Sequence, residues 1–118
     1  STEVKIQQAR MVATSAANKF RIRITLVQPM KPDSVVSGVV ILAVDGEVDG
    51  KPGRADFATL SGGKRREISF TFRYLENIEE EITLPPGMKP EQLLVEVRSS
   101  RRGSAPVQQS YVWSVDPQ

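Results

Sequence analysis

The feature that most constrains this chain is alternation with a period of two. In Phe20-Arg21-Ile22-Arg23-Ile24-Thr25-Leu26 every second residue is apolar. In an extended backbone that places Phe20, Ile22, Ile24 and Leu26 on one face and turns the arginines to water. The same period recurs in Ile68, Phe70, Phe72 and Tyr74, in Leu93, Val95 and Val97, and in Val107, Gln109, Tyr111, Trp113 and Val115. A helix would scatter each of these sets around its circumference. The prediction is therefore an all-β fold, a two-layer antiparallel β-sandwich of about eight strands, with Trp113 in the core on the face of Tyr111 and Val115.

Val35 to Val44 is apolar in both phases and reads as a central strand covered on both sides. Asp45-Gly46 and Asp49-Gly50-Lys51-Pro52-Gly53 then supply turn residues, so a hairpin into a strand from Arg54 to Leu60 is expected. Further turns fall at Ser61-Gly62-Gly63-Lys64, at Pro85-Pro86-Gly87 and from Arg101 to Pro106. Pro29 and Pro32 bound the second strand, and Pro90, Glu91 and Gln92 read as one helical turn before Leu93. Glu3 to Thr14 fits neither period cleanly. It reads as a strand with a bulge, with a short helix, favoured by its alanines and glutamines, as the alternative. No repeat or linker divides the 118 residues, so 1–118 is taken as one domain.

Composition narrows the chemistry. The chain has no cysteine and no histidine. The first absence removes disulfides and thiolate nucleophiles and leaves the redox compartment open, and the second removes the commonest general base and metal ligand. Serine and cysteine hydrolase triads are thereby excluded. The expectation is a protein that is not an enzyme and needs no cofactor. The longest apolar run, Val39 to Val44, is far below the roughly 20 residues of a membrane-spanning helix. No signal peptide is visible at Ser1, and the absence of an initiator methionine there reads as a fragment of a longer chain or a processed product.

Four constellations invite a functional reading. Asp45, Glu47, Asp49 and Asp56, with Gly50 between, imitate a calcium loop, but strand flanks and Pro52 at the eighth place argue for a solvated acidic hairpin. Glu76, Glu79, Glu80 and Glu81 imitate a catalytic carboxylate cluster. Strand alternation instead sends Glu79 and Glu81 outward together and puts Glu80 with Ile78 and Ile82. Ser61-Gly62-Gly63-Lys64 imitates a phosphate loop but lacks its Gly-Lys-Ser or Gly-Lys-Thr ending.

The fourth is a pair of basic tips, Lys64, Arg65 and Arg66, and Arg98, Arg101 and Arg102. A net charge of only +2, with 14 acidic residues among 16 basic ones, favours soluble hairpin tips over a specific nucleic-acid site. Such tips are where partner proteins and antibodies meet a β-domain, and Arg65, Arg66, Arg101 and Arg102 are the first candidates for contact.

Taken together, Arg23 to Gln28, Gly38 to Gly50, Phe70-Thr71-Phe72-Arg73-Tyr74, Ile82 to Pro90, Val95-Glu96-Val97 and Tyr111-Val112-Trp113 resemble the C-terminal domain of an uncharacterised proteobacterial family. In that family a single membrane helix and a coiled coil precede a β-rich domain. The resemblance implies an ectodomain on the periplasmic face of the inner membrane, anchored upstream of Ser1 and partnered by another envelope protein. The expected role is a non-catalytic interaction or scaffold domain, antigenic through its tips. The alternative is a module that binds nucleic acid or anionic lipid through the basic tips.

Overall fold

The computed structural model describes residues 3–29 and 34–118. Among them the chain forms nine strands in two sheets and one helical turn. The elements are β1 (Lys5–Ala13), β2 (Lys19–Val27), β3 (Val36–Val48), β4 (Lys51–Asp56), α1 (Phe57–Leu60), β5 (Ile68–Phe72), β6 (Leu75–Thr83), β7 (Met88–Ser99), β8 (Val107–Val112) and β9 (Val115–Asp116). One sheet runs β6-β2-β1-β9 and the other β4-β3-β7-β8, with β5 beside the first half of β3. Every pairing is antiparallel except β1 with β9, which is parallel. The all-β sandwich expected from the alternation is the fold observed.

The apolar phases meet between the sheets. Ile22, Ile24 and Leu26 of β2 oppose Val40, Leu42 and Val44 of β3 and Leu93, Val95 and Val97 of β7 in one buried cluster. Fully burying such a side chain contributes roughly 1.5–3 kcal/mol, so these residues dominate the stability of the sandwich.

Several boundaries differ from the sequence reading. β1 is not among them: it is the strand with a bulge that the sequence reading preferred, its pairing with β2 slipping between Ile6 and Gln8 at Gln7. β3 continues through Asp45-Gly46 to Val48, and only Asp49-Gly50 turn. Both turn residues have positive φ, 52° and 81°, which fits a two-residue hairpin. Gly46 is kept for closeness instead: a Cβ there would lie 2.0 Å from the Lys89 carbonyl oxygen, where the β3–β7 register shifts. Pro90 to Gln92 are strand, not a helical turn, because that shift absorbs the proline within β7.

β3 is central, yet only its inner phase is covered. Val39, Ile41 and Ala43 on its outer face are half-buried. The strand expected from Arg54 to Leu60 stops at Asp56, whose carboxylate accepts the Thr59 N–H at 2.9 Å and caps α1. Tyr74, expected in the core, is 64% exposed because β5 ends at Phe72.

The C-terminal alternation is also broken. β8 belongs to one sheet and β9 to the other, and the chain crosses between them at Trp113-Ser114. Trp113 is accordingly half-buried at the seam, edge-on to Phe20 with ring centroids 5.1 Å apart, and Val115 is 38% exposed. Pro29 follows β2 as expected, whereas Pro32 lies outside the described residues.

Candidate functional site

The first basic tip is the loop from α1 to β5. Ser61 Oγ accepts the Arg65 N–H at 3.1 Å, and Gly62 and Gly63 take positive φ, so the loop closes on itself. Arg65 then turns back: Nη2 bonds Glu80 Oε2 at 2.5 Å and the guanidinium sits 5.7 Å from the Phe57 ring centroid. Glu80 is thus half-buried in the phase of Ile78 and Ile82, as the alternation required. Lys64 and Arg66 remain exposed.

The second tip lies at the end of β7 and in the turn to β8. Arg98 pairs with Glu96. Arg101 is half-buried, and its Nη1 donates to Gln28 Oε1 at 2.8 Å. Gln28 is 5% exposed, and its Nε2 donates to the Arg73 carbonyl at 2.7 Å and to the Ser34 carbonyl at 3.3 Å. Arg101 thus belongs to a network that joins Gln28 to Ser34 and Arg73, a use of the residue that differs from a protruding contact. Arg102 is exposed. The two tips are held by different parts of the sandwich, Arg65 by β6 and Arg101 by the residue after β2, so the structure gives no sign of a joint basic site.

The acidic constellations are also engaged. Asp45 accepts two hydrogen bonds from Arg54, at 2.6 and 2.9 Å, which hold its carboxyl below the usual carboxylate range. The Thr59 N–H does the same for Asp56. Arg23 Nε meets Glu79 at 2.8 Å, and Lys19 lies 3.8 Å from Glu81. These outward pairs form a charged ladder across β2 and β6.

The feature that the sequence reading missed is the edge formed by β8. Among the described residues β8 pairs with β7 alone. Sheet edges are ordinarily guarded by charges, prolines or bulges. β6 carries Glu76, Glu79, Glu80 and Glu81, β4 carries Lys51 and Pro52, and the free part of β1 carries Lys5, Arg10 and the bulge at Gln7. Two edge strands have none of these among the described residues. One is β5, Ile-Ser-Phe-Thr-Phe, which pairs with β3 alone but is flanked directly by Glu67 and Arg73. The other is β8, Val-Gln-Gln-Ser-Tyr-Val, around which no charged residue occurs from Ser104 to Val115. Beside it the outer sheet face holds a hollow of about 210 Å³ bounded by Ile41, Ala43, Arg54, Leu94, Glu96 and Gln108. Val112, at the end of the strand, is 75% exposed. The uncharged stretch is visible in the sequence, but its position at an edge depends on strand order.

Among the described residues, nine strands in two packed sheets, with surface ion pairs and uncharged edges at β5 and β8, define an all-β sandwich. Residues 1–95 match the model of a family of unknown function (DUF6776), and the chain belongs to that family. The match ends at Val95, so β8 and β9 lie beyond it. No curated protein matches the chain.

Proposed function

We propose that the chain is a non-catalytic protein-interaction domain of the bacterial envelope, facing the periplasm from an anchor carried outside this sequence, and that its contact runs along β8. The observation that carries this reading is the β8 edge, longer than the other uncharged edge at β5 and without any charge from Ser104 to Val115. An extended segment of a partner would gain main-chain hydrogen bonds from β8, with specificity from the side chains beside it. The tips are weaker candidates, because Arg65, Arg98 and Arg101 already have partners within the chain. Lys64, Arg66 and Arg102 remain as surface for antibodies. The envelope location rests on the family resemblance.

The test is site-specific photo-crosslinking in the native bacterium, with the crosslinker placed at Ser110, at Arg66 or at Arg102. Adducts with envelope proteins are expected from Ser110 and absent from the other two. Adducts confined to the tips would reject the edge, and adducts only with cytoplasmic proteins would reject the envelope.

A further inference from the structure

If β8 is the contact edge, as proposed above, its residues can be asked which extended strand they fit best. Residues directly opposite in an antiparallel ladder point to the same face. Val107, Gln109 and Tyr111 share the core-side phase of β8, and Tyr111 is buried enough to push its phenol above the ordinary value. Gln108, Ser110 and Val112 share the outer phase. Any partner strand must present apolar groups to Val107 and Tyr111 and keep charge away from an edge that has none to offer in return.

The geometry points to a second copy of this chain, pairing β8 with β8 antiparallel across a two-fold axis at Gln109. In that register Val107 faces Tyr111 of the partner subunit, and the reciprocal pair forms by symmetry. Both pairs join a β-branched residue to an aromatic one on the core side. Gln109 meets its own copy at the axis, where an amide can both donate and accept. Gln108 faces Ser110 of the partner subunit on the outer side.

The neighbouring register that preserves phase, with the axis at Ser110, sets Gln109 against Tyr111 and Gln108 against Val112 and leaves Val107 beyond the end of the partner subunit's β8. Self-pairing also explains why the edge is neutral: a charge at or beside a two-fold axis would meet its own like. Glu96, the nearest acid on β7, is held by Gln108 Nε2 at 2.6 Å. The two five-stranded sheets become one continuous sheet of ten, and the hollow beside β8 lies on its outer face.

Two measurements on the purified chain test this. Sedimentation over a concentration series should show a dimer. Gln109→Lys, which puts like charges face to face at the axis, should weaken that dimer by about tenfold or more while the melting temperature of the monomer holds. Gln109→Glu serves the same purpose should the lysine disturb the fold. The second measurement uses the absence of cysteine in the chain.

Gln109→Cys should form an intermolecular disulfide with oxidised glutathione, because directly opposed Cα atoms lie about 4.5–5.5 Å apart. Ser110→Cys should not, since its copies are offset along the strands beyond disulfide reach. A chain that stays monomeric to about 1 mM, a dissociation constant near the 4 kcal/mol level, overturns the dimer, as does crosslinking through Ser110→Cys in place of Gln109→Cys. A monomer that still gives Ser110 photo-adducts with another protein rejects the second copy while leaving the edge itself as the contact.

Discussion

Arg101 shows how one side chain can be read two ways. In the sequence it stands in a turn beside Arg102, and both look like solvated cations. In the structure Arg102 is exposed while Arg101 donates to the amide oxygen of Gln28, a residue 73 positions away and 5% exposed. Removing the donor would leave that oxygen buried without this partner, and an unsatisfied buried acceptor costs roughly 1–3 kcal/mol. Arg101→Ser should therefore lower the unfolding free energy by that amount in a denaturant titration. Arg102→Ser should change it by less than about 0.5 kcal/mol, as surface substitutions do. Equal effects would mean that the Gln28 bond adds nothing. Nothing local in Arg101-Arg102-Gly103 distinguishes the two arginines, because the difference is made by a partner in another sheet.

At the scale of elements, alternation was legible wherever a strand keeps one sheet for its whole length. β2, β5 and the second half of β7 follow it residue by residue, and β1 shows its bulge as a break in the period. Where a segment changes sheets the period persists while the burial does not, and Val107 to Val115 is that case. Trp113 keeps the apolar phase yet sits at the crossing, half-buried against Phe20. Trp113→Ala should accordingly cost about 2 kcal/mol, below the roughly 3–5 kcal/mol of a fully enclosed aromatic, with the edge-to-face pair contributing about 0.5–1.5 kcal/mol of it. Native tryptophan emission should lie between the buried and exposed limits. A cost near 5 kcal/mol with strongly blue-shifted emission would place Trp113 in the core after all. The β8 edge was illegible for a related reason: an uncharged six-residue strand becomes an edge only once strand order is known.

For the whole molecule the deciding quantity is how charge is distributed over an elongated body of 47 × 29 × 25 Å. The sequence counts 16 basic and 14 acidic residues, which leaves open whether the cations gather on one side. The fold pairs several of them off. Arg10 meets Asp116, Arg23 meets Glu79, Arg54 meets Asp45, Arg65 meets Glu80 and Arg98 meets Glu96. Each exposed pair adds little stability, about 0–1 kcal/mol, but each also cancels the local field that a polyanion would feel. Of the six tip cations, Arg65 and Arg98 have ion pairs and Arg101 donates to the Gln28 amide, while Lys64, Arg66 and Arg102, on two separate loops, have no close ion pair among the described residues. Binding that neutralises three phosphates would show a logarithmic salt slope of about −3, and cations divided between two loops engage fewer at once. The chain should therefore leave a heparin column at or below about 0.15 M salt, where the Debye length of about 8 Å already screens exposed charges. Replacing Lys64, Arg66 and Arg102 together by serine should move elution only slightly. Retention well above that salt, abolished by the triple substitution, would make the polyanion reading the better one and move the functional surface from the β8 edge to the tips.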